Sequence, residues 1–372
     1  MNPSMRSFGW SDVARLGVVQ ACLGAMVVLA TSTLNRIMVV ELALPALVPG
    51  LLVGFHYAIQ MVRPRMGFGA DRGRRCTPWM VGGVITLALG GNLASWGTIQ
   101  MGQDHGTGLA ICLVAFGCIG LGVSATGTSL LALMSKRVPE SMRAPAATTV
   151  WVMMIMGFAL TAVTVGKLID PYTPERLMQV TAGLGLSIVV LTLLSLWGLE
   201  SSTQATAPSG DRESMRSMHD FKQALAVVWR DPQARLFTWF VFLSMLAYSS
   251  QDLVLEPFAG AIFGMSPGQT TQLSGVHHSG VLVGMLLVAL AGSRRVNGRM
   301  GSVQSWMVGG CLVSALAMAG LASAGLQAGS WPLKPNVVLL GIANGAFSIA
   351  AIATRSEEHT SELQSHHDLV CR

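Results

Sequence analysis

Trp79-Met80-Val81-Gly82-Gly83 recurs 227 residues later as Trp306-Met307-Val308-Gly309-Gly310. Each copy follows a short basic loop and opens a long apolar run. Gly54-Phe55-His56 likewise aligns with Gly275-Val276-His277, at a spacing of 221 and in the apolar run before each loop. The two matches agree in order, in kind of segment and in flanking charge. One duplicated unit with small insertions or deletions explains them.

The runs around these matches have the length of membrane helices. About 20 apolar residues cross a bilayer core. Ten such runs are expected, at 16–40, 46–62, 78–98, 107–134, 146–166, 177–199, 236–258, 272–292, 303–326 and 337–354. Composition agrees: 51% of the 372 residues are hydrophobic, 11% are charged and the mean hydropathy is +0.54. Soluble domains carry about 25% charged residues, so lipid is the solvent expected for most of this chain. The net charge of +6 does not indicate a nucleic-acid partner, because the basic residues sit between apolar runs. Eighteen Lys and Arg fall on one side of the predicted membrane and only Lys167, Arg176 and Lys334 on the other. The positive-inside rule therefore puts the N-terminus and the 200–235 segment in the cytoplasm. The first run is too long for the apolar core of a cleaved leader.

The 200–235 stretch divides six runs from the rest. It starts as a Ser/Thr/Gln/Ala/Pro linker, and His219–Trp229 has the spacing of a short surface helix. A six-helix unit repeated in parallel is the major facilitator architecture. The expected fold is therefore all-α, a polytopic membrane protein of two six-helix halves. Residues 1–199 form the first half, 200–235 the linker and 236–354 a partial second half. With about ten transmembrane helices, the chain is expected to be two short of twelve. Residues 355–372, RSEEHTSELQSHHDLVCR, change abruptly to a polar composition and resemble a translated sequencing adapter, so they are expected to be non-native. His366 and His367 are accordingly not read as ligands. The cysteines show no CxxC spacing, and no metal site is expected. With no nucleophile elbow, P-loop or HExxH, no enzyme is expected either.

The loop Gly67-Phe68-Gly69-Ala70-Asp71-Arg72-Gly73-Arg74-Arg75 resembles the superfamily's signature, one residue short between Arg72 and Gly73. Such a loop can set the Asp71 carboxylate at a helix N-terminus and the guanidinium groups of Arg72, Arg74 and Arg75 on carboxylates across the bundle. Topological charge alone is the competing reading. Residues 32–50 (STLNRIMVVELALPALVPG), 54–60 (GFHYAIQ), 63–75 and 77–83 (TPWMVGG) are similar to the bacteriochlorophyll-delivery family, the light-harvesting assembly proteins of the PucC/LhaA type. The resemblance implies an inner, intracytoplasmic-membrane factor for antenna assembly. Its implied partners are antenna polypeptides and bacteriochlorophyll or its synthase, with the pigment bound or carried non-covalently. A proton-coupled secondary transporter of a small solute is the competing reading.

Ionisable residues inside a membrane usually face a cavity or a partner. Arg36 and Glu41 lie near the outer end of the first run, and a regular helix sets them about 140° apart, which disfavours a direct pair. Asp252 and Glu256 share one face of the seventh run. A bridge from Arg36 to either acid would be an outer gate, or a static pair near the headgroups. His56 and His277 are candidate axial ligands for a pigment magnesium, as the resemblance implies, or else hydrogen-bonding contacts between helices. Gly120, Gly122, Ser124, Gly341 and Gly345 read as close helix contacts.

Overall fold

The computed structural model describes residues 8–63, 75–200, 229–291, 302–327 and 331–370. Among them are ten helices. The first half holds α1 (Trp10–Glu41), α2 (Leu47–Val62), α3 (Thr77–Met101), α4 (His105–Arg137), α5 (Glu140–Ile169) and α6 (Pro174–Leu196). The second holds α7 (Pro232–Phe263), α8 (Pro267–Ala291), α9 (Val303–Ala324) and α10 (Leu333–Val370). All ten expected runs fall on these helices. Eight of the helices contain a stretch long and apolar enough to cross a membrane. Of the other two, α2 is short, and α7 carries Asp252 and Glu256 well inside its length.

Local chemistry marks the starts. Asp104 accepts the Gly106 amide at 3.0 Å to cap α4, Thr173 accepts Arg176 N at 3.1 Å at α6, and Asp231 accepts Gln233 N at 2.9 Å at α7. Proline stands in the first turn of α3, α6 and α7, where its missing N–H costs nothing. Gly264 ends α7 with φ +62°, a left-handed turn that favours glycine. The backbone of α10 stays helical past Thr354, in keeping with the lack of a cap or turn signal there.

The two copies of the WMVGG run open α3 and α9, and their glycines do the same work in both. Gly82 and Gly309 face open space. A Cβ on Gly83 would stand 2.8 Å from Gly122 O on α4, and one on Gly310 would stand 2.9 Å from Ala343 O on α10. The second glycine of each run thus lets the third helix of its half lie against the fourth. The main apolar core of the first half joins α1, α3 and α4 through Met26, Leu34, Leu87 and Phe116. In the second half, Leu255, Leu273, Ala317 and Leu340 join α7, α8, α9 and α10. The halves meet where α5 lies along α8 and where the outer part of α1 touches α7 and α8. Most of the linker, including the helix expected at His219–Trp229, lies outside the described residues.

Candidate functional site

The junction of α1 with α7 begins with a proline. Pro257 lies inside α7 and has no N–H to give Leu253 O, the carbonyl one turn back. Asn35 on α1 fills the gap, donating its Nδ2–H to Leu253 O at 2.7 Å. A free carbonyl inside a membrane protein needs such a donor. The Thr33 and Thr271 hydroxyls, 3.1 Å apart, tie α1 to α8 beside it.

Arg36 is buried in this junction and pairs with Glu41, Nη1 donating to Oε1 at 2.5 Å. The sequence reading disfavoured that pair, and the structure corrects it. Ile37–Glu41 is a π-helical turn in which Leu42 N donates to Ile37 O, a repeat of five residues. Such a turn stacks residues i and i+5 instead of splaying them. Arg36 Nη2 also donates to Met265 O in the α7–α8 turn at 2.6 Å. Gly260 makes room for the guanidinium, since a Cβ there would stand 2.9 Å from Arg36 Nε. The ion pair is therefore local to α1, and Arg36 crosses to the second half through a backbone carbonyl. Glu256 is 0% exposed. Thr271 donates to its Oε2 at 3.3 Å, while Oε1, like Arg36 Nε, is buried without a hydrogen-bond partner.

His56 and His277 occupy matching helices, α2 and α8, and both are 1% exposed. Each has its backbone carbonyl against a glycine of the fourth helix of its half, His56 O against Gly120 and His277 O against Gly341. Their rings differ. The Gln60 amide, one turn on, donates to His56 Nε2 at 2.8 Å. His277 joins a polar cluster from four helices. Its Nε2 is 3.4 Å from the Asn344 amide nitrogen, which donates to Gln251 Oε1 at 2.8 Å, and Ser314 donates to Asn344 Oδ1 at 2.9 Å. Asp252 Oδ1 is 3.7 Å from His277 Nδ1. His278 is also buried, its ring edge-on to Phe158 of α5. Consecutive helix residues point about 100° apart. Both can be interior only because α8 is covered by α5 on one side and α10 on the other.

A neutral imidazole has the donor chemistry for an axial metal ligand. Both rings are buried, so neither presents an open face to a chlorin in this conformation. Cavities of about 270 and 210 Å³ lie along α9–α10 and among α7, α9 and α10, and neither is lined by a histidine. His56 Nε2 is already engaged, and both rings are enclosed by packed helices.

Of the cytoplasmic loop motif, Gly67, Asp71, Arg72, Gly73 and Arg74 lie outside the described residues, and Arg75 is exposed. A carboxylate does sit at the N-terminus of α3, supplied by Glu200. Its two oxygens accept Cys76 N at 2.7 Å and Thr77 N at 2.9 Å. Sequence reasoning missed Glu200, Asn35 and the Gln251–Ser314–Asn344 cluster. Pro257 was the available signal for Asn35, because it announces a free carbonyl four residues back.

Two helical halves, joined along α5–α8 and by a buried polar junction at α1–α7, define a polytopic membrane protein of the major facilitator fold. The D-xylose–proton symporter has this fold at a TM-score of 0.65, with 14% identity, over 92% of this chain and 80% of its own. Residues 33–364 match the family model described as PUCC protein, and the chain belongs to that family. It is 46% identical over 346 residues to the Rhodobacter capsulatus protein named bacteriochlorophyll synthase 44.5 kDa chain, covering 93% of this chain and 78% of that one. Protein PucC of the same organism is 27% identical over 360 residues, 92% of this chain and 75% of its own.

Proposed function

We infer that this chain is a bacterial inner-membrane factor for assembling light-harvesting antenna complexes, acting through bacteriochlorophyll delivery or handling and contacting antenna polypeptides. The observation that carries this reading is the 46% identity, over 93% of the chain, to a relative whose name refers to bacteriochlorophyll synthase. The chain is read as a non-catalytic companion of pigment synthesis. Asn35, Gln251, Ser314 and Asn344 are engaged in helix-to-helix hydrogen bonds, and among the described residues the gathered polar groups form no nucleophile–base pair of the kind covalent catalysis needs. In this reading His277 ties helices together while His56 is held by Gln60 of its own helix, and pigment handling is a property of the whole bundle. The N-terminus and linker are cytoplasmic, as the distribution of Lys and Arg supports.

Purification of the chain from a phototrophic host tests the reading. Bacteriochlorophyll should co-purify at a constant ratio to protein, with antenna polypeptides captured beside it. Colourless protein free of antenna polypeptides contradicts it. A second reading, proton-coupled transport of a small solute, is favoured by one observation: Glu256, wholly buried with one oxygen unpartnered at the junction of the halves. Proton-driven solute uptake by the purified chain in vesicles, abolished by Glu256→Gln, distinguishes it.

A further inference from the structure

Beside the polar cluster of the second half, three side chains with metal-ligating atoms come together. One ligand-capable atom from each of Asp252, His277 and His278 lies within 4.8 Å of the others. We propose that these three residues form a binding site for a divalent transition-metal ion of the zinc or cobalt kind.

Two imidazoles and a carboxylate are donors that zinc and its neighbours accept, whereas magnesium prefers an all-oxygen shell. Ligands about 2.0–2.1 Å from an ion stand roughly 3.4 Å apart in a tetrahedron. The site therefore needs to close by at most about 1.4 Å, within the reach of side-chain rotation. His278 is already set: its Nδ1 lies 2.8 Å from Ser274 O, so Nδ1 carries the proton and Nε2 offers a lone pair.

His277 needs the opposite tautomer, with Nδ1 free toward Asp252 and Nε2 protonated. The surrounding amides can supply it. As placed, Asn344 turns its NH2 toward His277 Nε2, but the oxygen and nitrogen of an amide are exchanged by a flip. With Asn344 and Gln251 both flipped, Asn344 Oδ1 accepts from His277 Nε2 and from the Gln251 amide. Ser314 then accepts from Asn344 and donates to Gln251, so no hydrogen bond is lost. His277 Nδ1 is buried and has no hydrogen-bond partner without a metal, which the ion would supply. The hydrogen-bonded groups behind a metal-bound histidine normally fix its tautomer in this way. The Asp252 side chain keeps 26% of its surface open, giving the ion a way in and a position for water. Glu256 lies one turn further along α7 and places a second carboxyl group near the ion.

Cobalt titration of the purified full chain in detergent tests the site. His359→Ala, His366→Ala and His367→Ala are introduced first, so that the C-terminal histidines do not compete. About one Co²⁺ per chain should bind with the visible absorption of tetrahedral coordination, displaced by Zn²⁺ and not by Mg²⁺. His278→Gln and Asp252→Asn should each weaken binding by at least about tenfold. Asn344→Ala, which keeps all three ligands, should weaken it about 10- to 100-fold, and His56→Gln should leave it unchanged. Helical circular dichroism and a single elution peak establish that each variant is folded. Absence of stoichiometric Co²⁺ in the parent protein overturns the proposal, whatever the variants do. So does binding that survives both His278→Gln and Asp252→Asn.

Discussion

The equivalent helices α2 and α8 begin from the same motif and end in different surroundings. In both, the histidine carbonyl lies against a glycine of the fourth helix of its half, Gly120 or Gly341. Both glycines are 221 residues apart, as are the histidines. The repeat therefore preserves a backbone contact. What it does not preserve is the use of the ring. On α2 the ring is held by Gln60 of its own helix, whereas on α8 it enters a cluster drawn from four helices. Duplication copies the packing that makes the fold, and the neighbours then decide what each copied side chain does.

The largest effects should come where the halves agree. Gly83→Leu and Gly310→Leu force a side chain against the backbone of the next helix and should each cost about 3 kcal/mol, the upper end for overpacking. Gly82→Ala and Gly309→Ala face open space and should stay within about 0.5 kcal/mol. Thermal unfolding in detergent reads the difference. If Gly82→Ala is as harmful as Gly83→Leu, the repeat's packing role is wrong.

At the next level the halves differ in charge. Arg36→Ala leaves Met265 O without its donor and Glu41 without its cation. It should cost about 2 kcal/mol, less than the roughly 3–5 of a fully buried pair, because Glu41 is 37% exposed. Arg36→Lys should not restore stability, since one ammonium cannot span Glu41 and Met265 as the guanidinium fork does. Glu41→Gln should be milder than Arg36→Ala. Equal losses from both would place the energy in the ion pair rather than in the tie to the second half.

The two rings should separate more finely. His277→Leu strands part of the Gln251–Asn344 cluster and should cost about 1–2 kcal/mol, whereas His56→Leu loses only its Gln60 bond and should cost less than about 1. The ratio of pigment to folded protein should not change in either variant, because both rings are buried among packed helices. A fall in that ratio for His277→Leu alone would make this ring a pigment ligand in another conformation.

The smallest effect is outside the membrane. Asp104 sits below the ordinary carboxylate range, chiefly because the Thr107 hydroxyl donates to it and also because the Gly106 amide does. Its contribution is thus present above the unfolded-state value and is lost as pH falls through the lowered one. Asp104→Ala should slightly lower the unfolding midpoint at neutral pH and leave it unchanged in strong acid.

The ten helices and their duplication could be read from hydropathy and two short repeats, because lipid forces long apolar helices and leaves few alternatives. Site geometry was less accessible. The Arg36–Glu41 pair depends on a π-helical turn, which residue spacing alone does not reveal. The meeting of His277 and His278 with Asp252 depends on α8 being covered on both sides, a property of the bundle. The bond from Asn35 was not legible from its own segment, although Pro257 already required a donor near Leu253 O.

The assembly role is tested most directly by deleting the gene in a phototrophic bacterium that carries it and recording the near-infrared absorption of its membranes. The account predicts that an antenna band falls to a small fraction of its parental height while bacteriochlorophyll is still made, and that this chain restores it. An unchanged antenna spectrum in the deletion strain would contradict it.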